Sequence, residues 1–219
     1  MGILDELSSS TGNKTSNDDV VKRCLQTPAL LHTVAEGLRT GTPKARVDCA
    51  QIMHEVAKRR PDICSTFVGD FIDASRDTEE KGGSKRIAKI GYSGMMLMTA
   101  TQGAEIFAER EKLFEASRRG DALSIEAAKV LAELCRHSAN YRGKLLGPLM
   151  RLMPQDGDGK ELFKWIQALA PAVEGSVDGL KRFNMVLEPL REKLDDATNK
   201  KVDKLVVKLE RSTVKKTTR

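Results

Sequence analysis

The sequence predicts an all-α chain, an α-α superhelix of about five stacked helix pairs closed by a basic C-terminal capping helix. Three observations predict it. Residues 50–72 read again as residues 128–150. At this spacing of 78, Ala, Glu and Gly recur at 50/128, 55/133 and 69/147, and apolar residues coincide at 52/130, 53/131, 56/134, 57/135, 63/141, 67/145, 68/146, 71/149 and 72/150. Each copy holds two helical patterns with a short break between them, and a period of roughly 35 to 45 residues leaves room for one more copy in between. Aromatic residues are 4% and Pro is 7 of 219, so local propensities favour helix over strand.

Element by element, Ser8 to Asp19 contains no apolar residue and is rich in turn formers, which reads as a mobile linker. Ser16 or Asn17 is the expected cap of a first helix that stops at Thr27-Pro28, with Asp18 and Asp19 in its first turn. Pro28 starts a second helix with Leu30, Leu31, Val34 and Leu38 on one stripe. Thr42-Pro43 is an N-cap followed by Pro at the first helical position, and Val47, Ala50, Met53, Val56 and Ala57 share the buried face behind it. Pro61 breaks that helix, and Ile63, Phe67, Phe71 and Ile72 form the one facing it. Residues 79–84, EEKGGS, are the longest interior loop.

Lys85 to Ala100 is apolar nearly all round, as a central helix is, and Gly91 and Gly94 within it imply a close helix approach or an interruption. Ala104 to Ser117 completes this pair. Asp121 to His137 and Ala139 to Met153, jointed at Ser138, form the next. Leu162, Phe163, Ile166 and Leu169 mark a helix that stops at Pro171, and Val177 to Leu194 follows, bent near Pro189. The last helix, Thr198 to Arg211, buries Val202, Leu205, Val206 and Leu209, and fraying is expected beyond Ser212. The domain organisation is therefore a flexible segment 1–16, one helical-repeat domain 17–212 and a basic tail 213–219.

The net charge of +6 sits at one end. Asn199 to Arg219 carries eight basic and two acidic residues, which leaves residues 1–198 with 29 of each sign. A neutral body with a basic terminal helix favours recognition of a protein by the repeats, with nucleic acid as a second reading that uses the basic tail together with a basic strip on the repeats. The longest apolar stretch is too short to span a bilayer, and the first residues lack the charged and apolar regions of a signal peptide. Glu6 stands where a myristoylation motif needs Ser or Thr. Cys24, Cys49, Cys64 and Cys135 are scattered without a CxxC pair and read as reduced structural thiols. The expectation is a cytoplasmic protein with no membrane partner.

The pattern from Thr42 through Ala50, Met53, Val56 and Ala57, the Pro61-Asp62 break and Phe67 to Ile72 resembles the HEAT-repeat family of α-solenoids, and Asp121 to Met153 repeats it. Leu25 to Leu38, Ile87 to Phe114 and Leu162 to Leu194 are weaker copies. At Arg46-Val47 the chain departs from the family's usual order, in which the apolar residue comes first. The resemblance implies a right-handed α-α superhelix of about five HEAT-like pairs whose second helices line a concave groove, and a role as scaffold or adaptor. On that geometry Arg142, Lys144 and Arg151 on one second helix and Lys181, Arg182 and Arg191 on the next are candidate binding residues. Lys200, Lys201, Lys204 and Lys208 on the terminal helix join them.

Enzymatic signatures are absent from the sequence. His32, His54 and His137 lie outside HxxxH and HExxH spacing and read as solvated or capping side chains, His137 suiting the last turn of its helix. The glycines at 82, 83, 91, 94 and 103 form no phosphate loop. Met95, Met96 and Met98 read as core filling, and Lys58-Arg59-Arg60 as cations at a helix C-terminus. HEAT-like DNA glycosylases hold an extruded base among aromatic and acidic side chains. Trp165, Tyr92 and Tyr141, mostly at core positions, are a poor supply for such a cage. The expected protein is non-catalytic, without cofactor or metal.

Overall fold

A computed structural model describes residues 2–13, 15–77 and 84–217, with side chains through residue 214. Among these residues every regular element is helical and no strand occurs, as the composition predicts. The chain divides into two compact units, residues 1–106 and 107–219, where the sequence suggests a single domain.

The first unit contains α1 (Ser8–Thr11), α2 (Ser16–Gln26), α3 (Leu30–Thr40), α4 (Pro43–Arg59), α5 (Val68–Ser75) and α6 (Lys85–Met98), with 3-10 turns at Ile3–Glu6 and Pro61–Phe67. Helix α4 is central and packs on α2, α3, α6 and the second 3-10 turn. It begins as expected, Thr42 Oγ1 accepting from Ala45 N with Pro43 behind it. Its buried side is wider than the single stripe read from sequence: Cys49, Ala50, Ile52, Met53, Val56 and Ala57 are all buried, whereas Val47 is half-buried. Arg46 turns inward, donating through Nε to Leu38 O at 2.9 Å and pairing with Asp77. The EEKGGS loop lies outside the described residues except Ser84, whose Oγ caps α6 by accepting from Ile87 N.

Close approach of α5 and α6 explains the paired glycines of the central helix. A Cβ on Gly91 would stand 2.3 Å from Ser75 N, and one on Gly94 would stand 2.1 Å from Cδ1 of Phe71. Only a bare Cα lets the two helices meet there.

The N-terminal segment corrects the reading of residues 1–16 as a flexible linker. Ile3 and Leu7 are buried, and a Cβ on Gly37 of α3 would meet Leu4 Cδ2 at 2.8 Å. Polar residues that suggested a loop are spent on Asp48, 9% exposed on α4: Ser8 Oγ at 3.0 Å, Ser9 N at 2.8 Å and Asn17 Nδ2 at 2.8 Å all donate to its carboxylate. The expected cap on α2 is corrected for the same reason. Asn17 serves Asp48 and Ser8 N, and no side chain caps the helix.

The second unit begins within α7 (Gly103–Ala108) and contains α8 (Arg110–Arg118), α9 (Ser124–His137), α10 (Ala139–Met150), α11 (Gly159–Leu169), α12 (Val177–Arg191) and α13 (Asp196–Thr217), with a 3-10 turn at Ala170–Val173. Helix α9 is its centre and packs on α8, α10, α11 and that turn. It starts at Ser124, later than the sequence suggests, because Asp121 accepts from Leu123 N in a turn while Ser124 Oγ accepts from Asp121 N. Ser138 caps α10, accepting from Tyr141 N at 3.3 Å, and Asp158 caps α11. Pro148 and Pro189 are both accommodated inside helices α10 and α12. Helix α13 runs to Thr217 with Thr213 buried, so the fraying expected beyond Ser212 is corrected as far as Thr217, and residues 218 and 219 lie outside the described residues.

The internal repeat is matched by burial, pair by pair. Eight of the nine apolar pairs are buried in both copies, and the ninth, Ile63 and Tyr141, is half-buried in both. Glu55 and Glu133 also correspond. Glu55 lies within 3.9 Å of Lys58 and 3.8 Å of Arg59, and Glu133 pairs with Arg136 at 2.9 Å and lies 3.2 Å from His137, the corresponding residues of the same last turn.

Candidate interaction surface

The ten basic side chains singled out from sequence do not form one strip. Arg142 is structural: its Nε donates to Ala172 O at 3.1 Å and its Nη2 to Glu174 O at 3.2 Å, fastening α10 to the turn after α11. Arg191 is held by Asp203 at 2.7 Å. Both are thereby removed from a free basic surface. Lys144 on α10, Arg151 just past its end, and Lys181 and Arg182 on the neighbouring α12 remain exposed.

On α13 the arrangement is more compact. Lys200, Lys204, Val207 and Arg211 recur at i, i+4, i+7 and i+11, which places them on one face, with Lys208 beside them. Lys204, Val207, Lys208 and Arg211, with Asp203 and Ser212, line an open groove of about 610 Å³. Val207, the apolar residue of that lining, is 41% exposed. Among the described residues no carboxylate pairs with Lys204, Lys208 or Arg211, and Lys201 turns aside to lie 5.8 Å from the Phe163 ring centroid. The side chains of Lys215, Lys216 and Arg219 lie outside the described residues.

An aromatic cluster in the same unit escaped the sequence reading. Phe107 and Tyr141 stack with centroids 4.6 Å apart and planes 14° from parallel, and Arg110 and Lys144 lie 4.8 and 5.5 Å from the Phe107 centroid. Phe107 and Tyr141 are half-buried, in contrast to Tyr92 and Trp165, which are core residues. Tyr141 aligned with Ile63 as a repeat position was the available signal; the break at Glu109 that separates α7 from α8 was not marked by Pro or Gly.

Histidine chemistry is limited by geometry. His54 Nε2 is 2.8 Å from Ser93 Oγ on α6, and its Nδ1 is 3.7 Å from Glu55, the order of a Ser-His-acid relay. At 3.7 Å Glu55 is beyond hydrogen-bond reach, and it also faces Lys58 and Arg59, so it does not orient the ring. Burial, aided by Lys58, lowers the His54 pKa below 6.5. The ring is a neutral link between α4 and α6 and not the solvated side chain expected. His32 lies edge-on to Phe67, centroids 5.0 Å apart.

The four cysteines are buried and unpaired, and burial pushes Cys24 up to about 11 and Cys49, Cys64 and Cys135 up to about 12. Among the described residues no group of three or more His, Cys, Asp or Glu side chains is placed to hold a metal, and no helix is long and apolar enough to cross a membrane. Comparison with protein-family models, curated proteins and solved structures finds no match.

Proposed function

We propose that this chain is a non-catalytic helical-repeat scaffold of the HEAT type, its helix pairs stacked as a right-handed superhelix, and that it binds a protein partner through the second helices of its repeats. The observation that carries this reading is the burial match between the two copies. Eight of the nine apolar pairs 78 apart are buried in both copies, which supports reading the repeat as a structural unit. Helix pairs that bury only their shared faces leave long outer faces to partners. Exposed Lys144, Arg151, Lys181 and Arg182 are the contacts assigned to it. A second reading, nucleic-acid binding, is favoured by the basic face of α13 and would add salt-dependent affinity.

Affinity capture from the native lysate, with and without nuclease, tests the choice. The scaffold reading expects a protein retained after nuclease treatment, lost when Lys144, Lys181 and Arg182 are changed to Glu, and kept when Lys200, Lys201, Lys204 and Lys208 are changed to Glu. Nuclease-sensitive, salt-sensitive retention abolished by the second set of changes would replace it with the nucleic-acid reading.

A further inference from the structure

The outward face of α13 is distinct from the surface assigned to the repeats, and its chemistry is specific. Its apolar side, Val202, Val206 and Leu209, is already buried, so the helix is fixed on the second unit and presents the opposite side outward. That side places exposed Val207 among Lys200, Lys204, Lys208 and Arg211, with a second exposed valine, Val214, two turns farther along the helix. Asp203 at the groove edge is neutralised by Arg191 at 2.7 Å and does not oppose an incoming anion. Lys200 to Arg211 covers about 16 Å of helix, or three turns.

We propose that this face docks an acidic amphipathic helix of a partner protein, an aliphatic side chain seated on Val207 and Glu or Asp residues meeting the flanking cations. Charge complementarity selects an anion, and the apolar floor selects among anions. A duplex backbone meets only the cations and gains nothing from a valine among them. An acidic helix uses both features at once, in the manner of helix-in-groove recognition. The central aliphatic contact carries affinity because the surrounding basic rim excludes water from it, and the rim sets orientation and encounter rate. This surface stands whether or not the second helices of the repeats bind a partner of their own.

The test uses the full-length chain and a fluorescent, end-capped peptide of Glu, Ala and Leu, about 18 residues long, with its leucines on one helical face. The control has the same composition with the leucines scattered. At roughly 0.15 M salt the ordered peptide binds about tenfold more tightly than the scattered one. Val207→Lys weakens it by about tenfold although it adds positive charge, because the apolar floor is lost. The double change Lys204→Glu, Lys208→Glu weakens it as well. Lys is a good helix former and Val207 is exposed, so an unchanged thermal melt is expected for both variants. Equal binding of the two peptides, or tighter binding by Val207→Lys, overturns the proposal. So does stronger retention of duplex DNA or phosphatidylserine vesicles than of the ordered peptide.

Discussion

A Cβ on Gly94 would stand 2.1 and 2.3 Å from Cδ1 and Cε1 of Phe71, and one on Gly91 would meet Ser75 N at 2.3 Å and Phe71 O at 2.7 Å. These distances are far inside van der Waals contact, so a methyl group must displace a neighbour. At Gly94 the neighbour is a ring, and at Gly91 it is backbone that cannot swing aside. Overpacking of this kind costs about 1–3 kcal/mol and occasionally more. Gly94→Ala is expected to lose about 3 kcal/mol in urea unfolding, and Gly91→Ala at least as much. Near-native stability for both would mean that α5 and α6 do not meet as described. The two glycines were legible because an apolar helix rarely carries Gly twice in one turn without a packing reason. His54 was not legible, since its partner Ser93 is 39 residues away and nothing local marks the pair.

At the scale of elements, caps and breaks were the readable features: Thr42 and Ser138 cap where their side chains and the following apolar stripe indicate. The N-terminal segment was misread because its composition is that of a linker while its hydrogen bonds are those of a clasp. Asp48 is the residue on which that clasp closes. Burial would raise its pKa, but the donors from Ser8, Ser9 and Asn17 outweigh burial and hold it below 3.8. The folded carboxyl therefore binds its proton less readily than the unfolded one. Its stabilisation is fully present above the unfolded pKa near 3.8 and is lost as pH falls through the lower folded value. Asp48→Ala leaves Ser9 N and Asn17 Nδ2 without their acceptor and is expected to cost about 2–3 kcal/mol at neutral pH. Hydrogen exchange should show the amides of residues 2–11 accelerated in this variant. The stability gap from wild type should narrow below the carboxylate range. A gap independent of pH would assign the effect to packing and not to the charged hydrogen bonds.

For the whole molecule, helix content could be read from composition and the separation of charge from counting charges along the chain, because both are sums over residues. The division into two compact units could not, because it depends on which contacts form and not on which residues are present. Buried thiols offer a way to observe each unit. Cys24, Cys49 and Cys64 lie in residues 1–106, and Cys135 lies in residues 107–219. With values raised to about 11 or 12 by burial, they are almost wholly protonated at pH 8 and hidden from reagent. Native protein at pH 8 should therefore label slowly, at a rate set by opening of the structure. Across a urea series, mass spectrometry should show Cys24, Cys49 and Cys64 becoming reactive at one common midpoint. They are borne by α2, α4 and the 3-10 turn after α4, and α4 packs on both of the others. Three separate midpoints would mean that α4 does not hold the first unit together as a cooperative core, and the central place given to that helix would fall with it.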